Sequence, residues 1–513
     1  MRIGEPGARV AVATTSQLAA DAAAEIADQG GNAVDCAVAA AMFAINTEPG
    51  VCALPGSAYV TVWPPHADPV TIDGNVAVPG KGLPPENRIG GAVPVSMEYG
   101  GGIETLVGPG SVAVPGTLAA LERASERFGK VSWQQLLDPT IRAARTGFPL
   151  PASCHFYLKY SGDIVFGRSE DGYGALHQAN GSLRDAQSNI VVPHLADSLE
   201  AIACEGSRIF YEGEIASILA DHVRQGGGAL TLEDLQSYEP ITRPSLCTDL
   251  GEWRIATNPP PAVGGAVLTA MLLAFREMPA TSWSEESLRQ LVSVQHAVLD
   301  YRKEHLDLSE DVAADVAKLL EQARSGQLVG RYLSASTVHT SAVDDASLAC
   351  AITASSGYGS GEMPKGTGLW LNNCLGELEL NRKGLAAGPP GIRLPSNMAP
   401  GAARSTRQVL AIGSPGADRI TTALHQFLIN FVQVGLSLED AVAHPRAHLE
   451  ISDSGLNLAV EPGLEMPALD ITVTPYPEIG MYFGGVGAAL FDTETGFEVA
   501  ADPRREGGTF ISG

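Results

Sequence analysis

Ser336-Thr337-Val338-His339-Thr340-Ser341-Ala342-Val343-Asp344 places a threonine directly before a strand-like run. A hydroxyl is a weak nucleophile near neutral pH unless a base within hydrogen-bond reach takes its proton. Breaking the Ser336–Thr337 bond would give Thr337 such a base in its own α-amine, whose reference pKa is about 7.7 to 8.0. The simplest route is attack of the Thr337 hydroxyl on the Ser336 carbonyl, giving an ester that water hydrolyses. No serine of the chain sits in a Gly-x-Ser-x-Gly elbow. The plainer alternative is a threonine that merely opens a buried strand.

Outward from that stretch, apolar spacing predicts helices over 17–29 and 33–45, with Asn32 as N-cap of the second and Asp35 in the capping-box position. Tyr59-Val60-Thr61-Val62-Trp63, Ala342-Val343 with Leu348 to Ile352, and Val409 to Gly413 read as buried strands bounded by Gly or Pro. Helical spacing returns at 419–434 and 437–443. Helices early and strands around Thr337 favour a layered α+β architecture over a barrel. A chain of 513 residues could hold two to four domains, but it has no Ser-rich or charged linker and no internal repeat, so one interwoven unit is expected. Residues 75–111 and 378–402, rich in Gly and Pro, read as long surface or active-site loops. The mixed charges of 312–331 suit either a strip that must clear the site after cleavage or a plain exposed helix.

A net charge of −25 argues against nucleic acid as a partner, because phosphate binding needs a basic face. The acidity serves solubility. The cysteines (Cys36, Cys52, Cys154, Cys204, Cys247, Cys350, Cys374) are odd in number, scattered and without a Cys-x-x-Cys pair, and read as buried thiols of a reducing compartment. Met1 to Gly7 has no apolar signal core, and no run approaches the roughly 20 apolar residues of a membrane span. A cytoplasmic protein without a membrane partner is expected. His444 and His448 have Pro445 between them and no evident third ligand, so no metal site is expected there. His296, Tyr301, Arg302 and His305 fall on one predicted amphipathic helix and read as surface or packing residues.

Ordered blocks along nearly the whole chain resemble the gamma-glutamyltransferase (gamma-glutamyltranspeptidase) family of N-terminal nucleophile hydrolases. They include Gly30 to Asp35, Val112 to Thr117, Phe210-Tyr211-Glu212-Gly213, Pro259 to Gly265, Leu371-Asn372-Asn373, Gly413-Ser414-Pro415-Gly416, Ala443-His444-Pro445-Arg446 and Asp502-Pro503-Arg504. The resemblance implies a four-layer αββα sandwich and no cofactor. It also implies self-cleavage into a larger piece, 1–336, and a smaller one, 337–513, that stay folded together; a homodimer is conceivable. Thr337 takes the nucleophile's place, with Val338 where the family has a second threonine. Ser355 stands where a family threonine orients the nucleophile, and keeps its hydroxyl. Gly416 and Ala417 replace a Gly-Gly pair whose N–H groups form the oxyanion hole, and Ala417 would resist a positive φ.

The substrate positions depart from the family. Asn75, in Ile72-Asp73-Gly74-Asn75, replaces the arginine that clamps the α-carboxylate of glutamate, and an amide cannot reproduce that two-pronged charged contact. Asn372-Asn373-Cys374-Leu375-Gly376-Glu377 brings Cys374 into the segment and keeps an acid, Glu377, near the α-amine position. The paired serines become Ser396-Asn397, and Arg393 nearby could replace the missing clamp. The early glycine-rich stretch has become Val51 to Ser57. These changes predict a Thr hydrolase acting on a small metabolite other than glutathione, in secondary metabolism. Amide hydrolysis competes with cleavage of a carbon–carbon bond beside a ketone, a reaction attributed to relatives in alkylproline antibiotic pathways. An ordinary gamma-glutamyl transferase and an unprocessed, inactive binding homologue are the remaining readings.

Overall fold

The computed structural model describes residues 8–99, 102–276, 279–325, 337–452 and 455–513. Ser336 and positions 326–331 of the charged strip lie outside them. Two antiparallel sheets form the centre. The first runs in the order Gly508–Ile511, Val10–Thr14, Val338–Asp344, Ala349–Ser355, Ser57–Trp63, Val70–Gly74, Ile241–Pro244. The second runs Gly496–Ala501, Gly487–Asp492, Gln408–Gly413, Gly401–Arg404, Trp253–Thr257, Leu246–Leu250.

Side chains along a strand alternate between faces, and that parity sorts three cores. Val10, Val12, Ala342, Cys350 and Ile352 pack outward against helices Gln17–Asp28, Ala33–Thr47 and Thr117–Phe128. Ala11, Val343, Ala349 and Ala351 face Ala256, Ala402, Ala411 and Ala489 of the other sheet. Ile255, Leu410, Ile412 and Leu490 pack outward on helices Gly264–Arg276, Glu285–Tyr301 and Arg419–Leu428. The result is the four-layer αββα sandwich, its middle seam built largely of alanine.

The capping box forms as the sequence predicts. Asn32 Oδ1 accepts from the N–H of Val34 (2.9 Å) and Asp35 (3.1 Å), and Asp35 Oδ2 accepts from the Asn32 N–H at 3.0 Å. Helix Ala33–Thr47 is buried along its whole length, which explains why its sequence is apolar all round rather than striped. The Ala33 N–H also donates to Asp344 Oδ2 at 3.3 Å, tying the helix start to the end of the strand that follows Thr337.

Several expectations need revision. The 75–111 region contains an antiparallel hairpin, Val93–Met97 with Ile103–Val107. Val312–Ser325 is a helix, but an amphipathic one that buries Val316, Leu319, Leu320 and Ala323 in the second helical core. The predicted helix over 419–434 ends as α-helix at Leu428 and continues as a π-helical turn, Ile429–Val434. Cys204 is exposed and Cys247 half-buried, whereas the other five thiols are buried. Among the described residues no helix is long and apolar enough to cross a membrane.

The alanine seam is tested by overpacking. Ala411→Leu, in the seam, should destabilise the protein by about 1–3 kcal/mol because neither sheet can yield. Ala313→Leu, on an exposed helical position, should change stability by less than about 0.5 kcal/mol. Equal melting temperatures for the two variants would contradict a close-packed seam.

Candidate active site

Thr337 immediately precedes strand Val338–Asp344, in which Val338 lies opposite Ala354 and His339 opposite Thr353. One more step of that register sets Thr337 opposite Ser355. By parity Thr337, His339, Thr353 and Ser355 all face the seam between the sheets. Thr337 is buried. Ser355 in turn lies opposite Ser57, whose hydroxyl donates to the Ser355 carbonyl at 3.2 Å.

His339 fixes this end of the seam. Ser341 Oγ donates to the Gly487 carbonyl (3.0 Å), so it can only accept from His339 Nε2–H at 2.7 Å. Nδ1 then accepts from the Thr353 hydroxyl at 2.8 Å. Burial pushes the imidazole down to about 3, and it is neutral at physiological pH. Its ring fills the space where a side chain at residue 413 would go: a Cβ on Gly413 would lie 2.1 Å from His339 Cε1. The ring thus locks the strand after Thr337 to the strand that leads into the 414–418 loop.

That loop joins strand Gln408–Gly413 to helix Arg419–Leu428. Gly416 has φ +118° and Ala417 φ +66°, so the positive φ that an alanine resists is present. Gly416 also lies against Gly484, whose Cα would be 2.6 Å from an added Cβ. Ser414 Oγ donates to the Pro415 carbonyl and accepts from the Gly485 N–H at 3.0 Å, stiffening the turn. Among the described residues the N–H groups of Gly416 and Ala417 have no partner. Free N–H groups at a helix start can stabilise a developing negative charge.

A narrow cavity of about 30 Å³ brings the predicted residues together. Thr337, Ser355, Ala417, Asn75, Cys374, Glu377, Ser396 and Asn397 all line it, whereas Gly416, next to Ala417 in the chain, is not part of the lining. Asn75 is committed to the wall, its Nδ2 donating to the Leu394 carbonyl at 2.6 Å. Ser396 Oγ accepts from the Met398 N–H at 3.3 Å. Asn397 Nδ2 donates to Asp418 Oδ1, while its buried Oδ1 has no partner among the described residues. Val76, Leu394, Met398 and Ile420 supply apolar surface.

Arg393 is not brought to this cavity. Val76 and Leu394 are bonded across a two-chain ribbon (Leu394 N–H to Val76 O, 3.1 Å), and alternation turns Arg393 to the ribbon's other side. There its guanidinium donates to the carbonyls of Asn75 (2.9 Å) and Glu239 and stacks on Tyr238 at 4.2 Å. It borders a separate cavity of about 280 Å³ together with Lys81. The clamp role expected of Arg393 is therefore set aside.

Among the described residues no lysine, arginine or histidine lines this cavity, and its one ionisable carboxyl is Glu377. Burial pushes Glu377 up to about 8, with Glu379 adding to the shift and the Cys374 thiol opposing it. Burial also raises Glu379 to about 7, against a hydrogen bond from Tyr358 Oη at 2.7 Å. Burial raises the Cys374 thiol well above its ordinary range. His444 and His448 sit on different elements, one ending helix Leu438–Ala443 and the other in strand Ala447–Ser452. His339, Thr353 and Ser57 were missed by the sequence reading. Their signal was parity and register with Thr337 and Ser355, readable only once the pairing of strands is known.

The model of one family, gamma-glutamyltranspeptidase, matches residues 19–512. The chain belongs to the gamma-glutamyltranspeptidase family. Relatives in that family include the glutathione hydrolase proenzyme of Pseudomonas aeruginosa, 29% identical over 97% of this chain and 93% of that protein. The glutathione hydrolase proenzyme of Bacillus subtilis is 27% identical over 97% and 90%. Among solved structures, the cephalosporin acylase from Bacillus halodurans has a TM-score of 0.79 at 23% identity, covering 99% of this chain and 97% of its own. The structure of LmbA2991HD has a TM-score of 0.74 at 19% identity, covering 100% and 99%. Both share the fold. As a gamma-glutamyltranspeptidase family member the protein is an enzyme, a hydrolase or transpeptidase with an N-terminal nucleophile.

Two outcomes are expected. Ala417→Gly relieves the positive φ and should raise stability, offset in part by glycine's greater freedom when unfolded, for a net gain below about 1 kcal/mol. A lower melting temperature would contradict the backbone geometry. Glu377 holds its proton more tightly when folded than a solvent-exposed glutamate does, so the folded state binds more protons between about pH 5 and 8. Stability should therefore fall as pH rises through that window and level off above it. Glu377→Gln removes this loss, and parallel melting curves for the two proteins from pH 5 to 9 would contradict the buried carboxyl.

Proposed function

We propose that the protein cleaves itself before Thr337 and then hydrolyses a small amide whose acyl half carries an amine and no neighbouring carboxylate. The observation that carries this reading is the cavity itself. Among the described residues it joins Thr337, Ser355 and Ala417 around one carboxyl, Glu377, and offers no cation to a carboxylate. The two relatives are named glutathione hydrolase proenzymes. A glutathione-type acyl group carries an α-carboxylate, and burying that charge without a cationic partner costs several kcal/mol. An ammonium group fits instead, beside Glu377 and the unpartnered Asn397 Oδ1.

The chemistry follows from the placements. The freed α-amine of Thr337 takes the proton of its own hydroxyl as Oγ1 attacks the amide carbon. The carbonyl oxygen, now negative, is held by the N–H groups of Gly416 and Ala417. Collapse breaks the C–N bond as the ammonium returns the proton to the leaving amine. Water, deprotonated by the same amine, attacks the ester and releases the acid and free Thr337. Ser355, opposite Thr337 in register, orients the hydroxyl. The pieces 1–336 and 337–513 stay together because both contribute strands to the first sheet.

Wild-type protein should yield two bands on a denaturing gel, the smaller beginning at Thr337 by N-terminal sequencing, and Thr337→Ala a single band. A 4-aminobutanoyl anilide differs from a γ-glutamyl anilide only by the α-carboxylate. It should be hydrolysed with at least about tenfold higher kcat/KM, in line with loss of a charged contact. Equal or reversed preference would refute the assignment. Product masses should sum to the intact acyl and amine halves; a shortened carbon skeleton would replace amide hydrolysis by carbon–carbon cleavage.

A further inference from the structure

Arg302 begins a π-helical turn, Arg302–Leu306, at the end of helix Glu285–Tyr301. Its neighbour His305 is exposed, but Arg302 is among the most deeply buried side chains of the protein. Its Nε donates to Asp307 Oδ1 at 3.0 Å and its Nη1 to Asp418 Oδ1 at 2.9 Å. Both carboxylates are buried as well. Asp418 occupies the N-cap position of helix Arg419–Leu428, yet its side chain does not cap that helix. It is turned away to Arg302 and to Asn397 Nδ2.

Asp418 follows Ala417 directly, so its side chain is the tether nearest the two free N–H groups. Positive φ at an alanine costs about 1–2 kcal/mol and persists only where the surroundings over-determine it. A fixed two-pronged guanidinium holding adjacent carboxylates is such a constraint. The same Asp418 oxygen holds Asn397, so one buried cation sets both the loop and the opposite wall of the cavity. Arg302 lies in the larger piece, and Asp418 and Asn397 in the smaller.

We propose that Arg302, acting through Asp418, is the positioning residue of the oxyanion loop: it aims the Gly416 and Ala417 N–H groups and fixes Asn397, without touching substrate. This rests on the Thr337 mechanism given above.

The test uses full-length protein and p-nitrophenyl acetate, a small activated ester that needs no specific acyl pocket, with Thr337→Ala turnover subtracted. Rates are normalised to the cleaved fraction on a denaturing gel. Arg302→Met with Asp418→Leu removes the buried pair and leaves Asp307 the Arg382 guanidinium at 3.6 Å as its cation, and replacement of a buried ion pair by apolar side chains is often tolerated. It should melt cooperatively, with kcat lowered about 100-fold and KM within about twofold of wild type. Arg302→Lys keeps the charge but not the fork, and should lower kcat about tenfold at unchanged KM. Asp418→Asn keeps an acceptor but not its charge, and should lower kcat by less than the double variant does. A purely structural pair would lower the folded fraction and leave normalised kcat unchanged. Wild-type kcat in the lysine variant, or a loss confined to KM, overturns the proposal even if the double variant fails to fold. Absence of any Thr337-dependent turnover and self-cleavage in wild type would overturn the mechanism and this proposal together.

Discussion

The close approach of two sheets across a layer of alanine side chains governs the rest of the architecture. Stacked sheets sit about 10 Å apart, and small residues on both faces bring the backbones still nearer. A strand that enters this seam from its rim therefore starts within reach of the opposing sheet's loops. Thr337 occupies that rim, and the loop across from it is Ser414 to Asp418. Where the alanines end, His339 takes over as the spacer, and Gly413 and Gly487 yield room for its ring. The placement of Thr337 is a by-product of how tightly two ordinary sheets are pressed together.

The charge inventory of the cavity is the second constraint. A carboxyl kept out of water and beside another carboxyl retains its proton. Glu377 is thus a hydrogen-bond donor as readily as an acceptor, and would become an anion beside a cation that compensates it. Selectivity of this kind comes from an unbalanced site and not from shape alone, since a ligand of the wrong sign meets both desolvation and repulsion. The cavity's small volume adds to this by leaving little space for water that could screen the mismatch.

Much of this was legible in the chain. The capping box at Asn32 and Asp35, the strand runs and the ordered motif blocks pointed to a layered α+β protein, because local capping and periodicity are set by nearest neighbours. Eight of the proposed site residues converge on one cavity, since each sits in a motif whose loop geometry travels with it. Arg393 failed for a reason sequence cannot show: which side of a ribbon a residue faces depends on a pairing with Val76 more than three hundred positions away. The role of Arg302 was hidden for the same reason, its partner Asp418 being remote in the chain. Burial of helix Val312–Ser325 also depended on a distant core that supplies the face its apolar stripe needs.

Strand Val338–Asp344 lies in the interior of its sheet, bonded to Val10–Thr14 on one side and to Ala349–Ser355 on the other. A scission just ahead of it would expose no sheet edge and would leave every rung of both ladders in place. The two polypeptides would then be joined as the halves of a single domain are, not as docked subunits are. Catalytic competence would be indifferent to dilution, and separating the halves would require unfolding them.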